Sequence, residues 1–276
     1  MKHTGALPLV TAAGGAAAFS LRLAQMRTGF SPETGLPVAG ALHGRLLIAL
    51  ILAFSVLLAV LVQPLPSRRP EPRPLEEVFS APGAAPLLYA GAALLALAGA
   101  AWDCSVLRGS VVIPGGGAAR WIALLSGGVM LAAGACLLPA VSAACGGQRA
   151  GKSRVPPALF LPAPAAAVFH LVLIYRLRSS APGLSAYAVE LLAVCFAAAA
   201  LCRLAGFAFD DGCVRAFAFL AGETVLFCAA ALADRRSAGE SAFFGGCLLL
   251  FLGLLFALRT SAGRRRGAPP EARIPR

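Results

Sequence analysis

The run LLIALILAFSVLLAVLV at 46–62 contains no charged residue, which narrows the folds open to this chain. A second run without charge, AFFGGCLLLFLGLLFAL, covers 242–258. A helix of about 20 mostly apolar residues crosses the hydrocarbon core of a bilayer. Only 13% of the 276 residues are charged, whereas soluble domains carry about 25%. These observations predict an integral membrane protein.

Six further apolar runs are weaker but long enough to span a bilayer. The predicted fold is therefore an all-α, polytopic integral membrane helical bundle with about eight transmembrane helices. The expected spans lie near 4–24, 46–62, 84–102, 119–141, 157–176, 184–205, 213–233 and 242–258. Residues 1–258 form a single transmembrane domain in this interpretation, and 259–276 form a basic, disordered cytoplasmic tail.

The weaker runs are rich in Ala and Gly rather than Leu. Small residues let helix backbones approach one another inside a membrane. Ala92, Ala96 and Ala100 form one such stripe at four-residue spacing. The pattern predicts spans that pack against other spans, although a GC-rich genome would also give an Ala-rich composition.

The positive charges indicate orientation and partners. The net charge is +12, and the Lys and Arg residues lie between the apolar runs or in the tail. They favour the side that carries both termini, which by the positive-inside rule is cytoplasmic. We expect the lipid bilayer as partner, with anionic lipid at the basic tail and another membrane protein as a further candidate partner, and we expect no nucleic acid. Cleavage of residues 1–18 as a signal peptide is the alternative, and it would reverse this orientation.

The loop after the first span has a distinctive sequence, MRTGFSPETGLPVAG at 26–40. Ser-Pro-Glu at 31–33 is a helix-start pattern, which predicts a compact ordered turn on the outer face. The candidate contact residues in this loop are Thr28, Phe30, Glu33, Thr34 and Leu36. A structural plug that ties two helices together is the alternative, and we favour it over a ligand- or partner-contacting loop.

The longer segment LRLAQMRTGFSPETGLPVAG at 21–40 resembles a group of uncharacterised multi-span membrane proteins of Gram-positive anaerobic bacteria. The resemblance covers the first two spans and otherwise extends only to hydropathy. It implies a location in the bacterial cytoplasmic membrane. That group has no assigned activity, so the resemblance implies no functional residues.

Ionisable residues at membrane depth are the main site candidates, because they are costly to place there. Glu223 lies at the middle of its span, and we expect it to be protonated. His170 and Glu190 are predicted to lie at similar depth on adjacent helices, which makes a hydrogen bond between them feasible. The three residues are candidates for binding or for a proton or ion pathway, while a helix–helix clasp is the structural alternative. Arg22 is expected to extend to the outer headgroups.

The sequence offers no catalytic residue, metal site or cofactor. It contains no CxxC pair, no HExxH and no GxSxG. The segment GGQRAGKS at 146–153 matches the P-loop spacing GxxxxGK[ST], but it follows an apolar span rather than the buried strand that a P-loop requires. We therefore favour a non-enzymatic membrane sensor, scaffold or partner subunit. The first alternative is a small-solute or ion transporter that uses Glu223, Glu190 and His170. The second is a lipid- or quinone-interacting membrane enzyme or redox anchor.

Overall fold

A computed structural model describes most of the chain and shows eight long helices. The described residues are 6–31, 38, 41–66, 78–79, 82–110, 116–145, 156–178, 184–209, 211–234 and 236–267. The helices are α1 (Leu7–Thr28), α2 (Leu42–Val62), α3 (Ala85–Leu107), α4 (Gly116–Cys145), α5 (Pro162–Arg178), α6 (Leu184–Ala208), α7 (Val214–Leu232) and α8 (Ala238–Gly267). Short 3-10 turns at Pro82–Ala84 and Pro157–Phe160 precede α3 and α5. The all-α prediction is confirmed, and eight helices are long and apolar enough to cross a membrane.

Helix α8 differs from the prediction at its C-terminal end. An irregular tail was expected from 259, whereas α8 continues to Gly267. The added segment RTSAGRRRG contains Arg and Ala, which favour helix. Residues 268–276 lie outside the described residues.

Helices α3 to α8 pack in sequence order, and α8 returns to α3 to close the ring. Helix α1 packs on α7, and α2 lies outside, against α1 and α7. The most hydrophobic window of α7 is 78% buried, whereas that of α2 is 22% buried. Helix α7 is therefore the most enclosed helix, and α2 is peripheral.

Glycines bring α3 close to both of its neighbours. A Cβ atom at Gly91 would meet the backbone of Leu250 on α8, and one at Gly99 would meet the backbone of Gly127 on α4. A Cβ atom at Gly134 of α4 would likewise meet the backbone of Ala96, which belongs to the predicted stripe. The small residues of α3 thus determine how closely these three helices approach, as expected where packing rather than a hydrophobic effect joins helices.

Side-chain contacts distinguish the two ends of the bundle. At the end that we call the Arg236 end, the last turns of α1 and α7 meet the starts of α6 and α8. At the opposite end, Phe79 packs edge-on against Phe207 of α6 and Phe217 of α7. Arg215 at the start of α7 donates to the Gln63 and Leu65 carbonyl oxygens just beyond α2.

Candidate functional site

Glu190 and Arg236 form a buried ion pair. Glu190 lies in the second turn of α6, and Arg236 lies in the short connection between α7 and α8. The Arg236 Nη1 and Glu190 Oε1 atoms are 2.6 Å apart, and the two side chains are 2% and 1% exposed. A buried charge of either sign requires such a partner, because desolvation is costly.

Arg236 also makes contacts within its own connection. Its Nη2 donates to Asp234 Oδ2 at 2.6 Å, and its Nε donates to the Ala231 carbonyl oxygen at 2.9 Å. Its guanidinium carbon lies 5.2 Å from the centroid of the Phe244 ring on α8, within the range of a cation–π contact. The guanidinium therefore fixes the end of α7, the start of α6 and the first turns of α8 relative to one another.

Asp234 joins a second arginine to this group. Arg22, in α1, donates through Nε to Asp234 Oδ1 at 2.8 Å and through Nη2 to Oδ2 at 3.2 Å. Its Nη1 also donates to Gln25 Oε1 at 2.9 Å. The expectation that Arg22 extends to the headgroups is wrong: its side chain is 1% exposed. Asp234 offers it two oxygens in the geometry that a guanidinium binds with both nitrogens.

Glu240 forms the N-terminal cap of α8 beside these residues. Its Oε2 accepts from the Ser237 backbone N–H at 3.0 Å and from the Ser237 hydroxyl at 2.9 Å. The Ser237 hydroxyl in turn accepts from the Glu240 backbone N–H at 3.3 Å. This reciprocal pattern is a capping box. We call Arg22, Glu190, Asp234, Arg236 and Glu240 the Arg236 cluster.

The cluster keeps Arg236 charged. Burial lowers the pKa of Arg236, but Glu190, Asp234 and Glu240 outweigh burial, so the pKa lies above its usual value. The raised pKa of Arg236 stabilises the folded protein, and this stability is fully present below the pKa that Arg236 has in the unfolded chain. It is lost only in strongly alkaline solution, as the pH rises through the pKa of Arg236 in the folded protein. Since the guanidinium holds its proton and engages the carboxylates, the arrangement suits helix fixation rather than proton transfer.

His170 lies near the cluster but does not bind Glu190. Its ring centroid is 4.6 Å from that of Phe243 and 6.0 Å from that of Trp102. Neither ring nitrogen has a hydrogen-bond partner among the described residues. The predicted hydrogen bond to Glu190 is not formed, because Arg236 binds that carboxylate and aromatic side chains surround the imidazole.

Glu223 forms a separate site. It is fully buried in α7, and neither carboxyl oxygen has a hydrogen-bond partner among the described residues. The Ser55 hydroxyl on α2 is close enough to act on it. Asp234 follows 11 residues later, roughly 16 Å along the chain direction at the helical rise. The structure therefore brings His170 and Glu190 to one region and leaves Glu223 apart.

The loop after α1 is described only in part. The Thr28 hydroxyl donates to the Ala24 carbonyl oxygen at 2.9 Å and lies 3.0 Å from His43 Nδ1 on α2. The ring of Phe30 lies 5.9 Å from the Arg22 guanidinium carbon. These contacts tie α1 to α2 and to the Arg236 cluster, as the plug interpretation expects. Three predicted contact residues, Glu33, Thr34 and Leu36, lie outside the described residues.

The sequence interpretation missed four members of the cluster as site candidates: Arg22, Asp234, Arg236 and Glu240. Arg236 and Asp234 follow the seventh span directly, where charged residues usually face the headgroups. A usable signal was present: Arg22 interrupts the first span near its C-terminal end, and Asp234 lies just beyond the C-terminal end of the seventh.

Comparison with protein-family models, curated proteins and solved structures gives no match for this chain.

Proposed function

We propose that this chain is a non-enzymatic multi-pass membrane protein that acts as a partner subunit for another membrane component. The main support is a group of buried ion pairs that joins α1, α6, α7 and α8 at one end of the bundle. Its members are Arg22, Asp234, Arg236 and Glu190. Charges engaged in this way hold helices in fixed positions. A bundle with fixed helix positions presents the same apolar surface to a partner at all times, which suits a subunit of a larger assembly. A fixed surface of this kind would also suit a sensor or a scaffold.

The proposal includes a location and an orientation. We infer that the protein lies in a bacterial cytoplasmic membrane with both termini in the cytoplasm, so that the Arg236 end faces outward. The distribution of Lys and Arg supports this orientation. Reporter fusions test it: alkaline phosphatase fused after Gly267 would be inactive, and the same enzyme inserted after Ser110 would be active. The opposite pattern would reverse the orientation.

We further propose that residues 1–18 remain in the mature protein. Gly15 packs against Val225 and Ala229 of α7, and Arg22, further along α1, is paired with Asp234. Loss of residues 1–18 would remove the packing of Gly15 on α7 and leave only residues 19–28 of α1, too few to cross a membrane. Intact mass measurement of the purified protein tests retention, and a mass that lacks residues 1–18 would contradict it.

The test of the partner-subunit function is gentle detergent extraction from native membranes of the producing cell, with a tag on the C-terminus of the full chain. A protein that co-purifies in fixed ratio supports the proposal. The matched control is the Arg236→Met variant, which removes the guanidinium from the cluster; we expect it to lose the partner. A wild-type chain that purifies alone and supports solute flux in vesicles would contradict the proposal.

One observation favours transport as a second candidate function. The Glu223 carboxyl and the His170 ring nitrogens are buried without hydrogen-bond partners among the described residues, and buried polar groups in a bilayer often mark ion or solute paths. A single path lined by Glu223, Glu190 and His170 requires a shared cavity. Because Glu223 faces α2 and Glu190 binds Arg236, a transport route would use Glu223 or His170 separately.

A further inference from the structure

Ser55 on α2 and Glu223 on α7 lie near one another. Ser55 is the only polar residue in the run 46–62 of α2, and Glu223 is the only acidic residue of α7. Glu223 occupies the central position of α7, with nine residues on either side, so it lies roughly 14 Å from each helix end. The pair is therefore near the middle of the membrane.

Helices α2 and α7 are in direct contact at this level. Leu58 of α2 is fully buried, and a Cβ atom at Gly222 would clash with its side chain. The Ser55 hydroxyl lies close to the Glu223 carboxyl, about one helical turn from Leu58 along α2. Glu223 is 0% exposed, whereas Ser55 is only half-buried, since it lies at the edge of the face that α2 packs on the bundle. Ser55 thus lies between the buried acid and the bilayer.

Charged side chains on the helices around α7 lie away from this level. No ion pair to Glu223 is formed by any residue that the structure describes. The charged side chains described on these helices lie toward the helix ends: Arg22 and Arg27 on α1, Arg45 on α2, Glu190 and Arg203 on α6, Arg215 on α7, and Glu240 and Arg259 on α8. The ionisable thiols of Cys228 and Cys247 contact each other between α7 and α8, and Cys228 is about 140° around α7 from Glu223.

An isolated carboxylate in hydrocarbon is too costly to persist, so such a group binds a proton or a cation. We propose that Glu223, with Ser55, is an exchangeable proton-binding site reached from the bilayer along the contact between α2 and α7. As a neutral acid, Glu223 fits the apolar contact. When it loses its proton, the carboxylate needs water, which enters only if α2 moves. Proton exchange at Glu223 therefore loosens the contact of α2 with α7. This proposal does not depend on the partner-subunit function.

Dicyclohexylcarbodiimide tests this site in the full chain reconstituted in lipid vesicles. The reagent is apolar and reacts with protonated carboxyl groups: the acid O–H adds across one C=N bond, and an oxygen-to-nitrogen acyl shift gives a stable N-acylurea with no leaving group. We expect one adduct, located on the Glu223 peptide by mass spectrometry. Its rate should fall about tenfold per pH unit once the acid is mostly ionised, because only the protonated form adds.

The Glu190 peptide is an internal control, since that carboxylate is bound to Arg236, and it should stay unmodified. Glu223→Gln should abolish the adduct, Ser55→Ala should shift its pH profile, and Leu52→Ala on the exposed face of α2 should leave the profile unchanged. The wild-type pH profile decides the question even if Glu223→Gln fails to fold. Absence of the adduct at every pH, or a rate independent of pH, would overturn the proposal. Protection by Na⁺ would replace it with a metal-cation site.

Discussion

The Arg236 guanidinium lies 2.6 Å from the Glu190 carboxylate, and both side chains are almost completely removed from solvent. The contact joins a connection at the end of α7 to the second turn of α6. Removal of one member of a buried pair leaves an uncompensated charge. Several consequences of this geometry and of the helix packing can be measured.

Arg236→Met is expected to lower the free energy of unfolding by about 3–5 kcal/mol, the usual cost of breaking a buried ion pair. The reason is that Glu190 and Asp234 both lose a cation. Unfolding of the purified protein in mixed detergent measures the change. Combining Arg236→Met with Glu190→Leu should recover part of the loss, since the double variant no longer buries the bare carboxylate of Glu190. Additive losses would show that the two side chains do not act as a pair.

Arg22→Lys is expected to destabilise the bundle by about 1.5–3 kcal/mol, the range for hydrogen bonds to charged groups. Lysine keeps the charge but cannot bind both Asp234 oxygens in the way that the Arg22 guanidinium does. The same unfolding measurement applies. Arg27→Lys is the matched control, because Arg27 lies in the last turn of α1 and is exposed; a similar loss there would contradict a specific role for Arg22.

Gly99→Ala is expected to destabilise the contact between α3 and α4 by about 1–3 kcal/mol, a typical cost of overpacking. The added Cβ atom would meet the backbone of Gly127 and Leu131, and neither can move without shifting α4. Gly128→Ala is the control, because a Cβ atom there meets nothing within 4 Å. It should be neutral or slightly stabilising, since alanine favours helix. Equal thermal stabilities for the two variants would argue against close backbone packing.

His170→Phe is expected to retain the folded bundle with little change in stability. The imidazole packs against Phe243 and Trp102 and makes no hydrogen bond to a described residue, so an apolar ring loses no such partner there. Thermal unfolding and gel filtration in detergent provide the measurement. A variant that folds but loses solute flux in vesicles would assign His170 a transport role, and one that fails to fold would reveal a polar partner of the imidazole.

Much of the helix architecture could be predicted from local sequence. The run 46–62 lies within α2, and 242–258 lies within α8, because a sufficiently long apolar segment forms a helix in a membrane whatever surrounds it. Helix ends were less predictable: α8 runs to Gly267, since its Arg and Ala residues continue the helix beyond the apolar segment. The small residues of α3 indicated close packing but not which helices would be the neighbours.

The candidate site was predicted only in part. Glu190, His170 and Glu223 are buried as expected, because ionisable residues within apolar spans are recognisable without a structure. The partner of Glu190 was not predictable: Arg236 lies 46 positions later, in a connection that by composition belongs at the membrane surface. The contact between Glu223 and Ser55 likewise requires that α2 pack on α7, although many residues separate these helices in the chain.

Hydropathy alone predicts the eight apolar helices that the structure describes, because it acts within each segment and every backbone polar group in a bilayer must be satisfied there. Hydropathy does not predict that Arg22, Asp234, Arg236 and Glu190 share one buried cluster, or that Glu223 lies apart from it. Charge pairing and burial depend on which helices are neighbours, and this is set by long-range packing of small residues rather than by any local pattern.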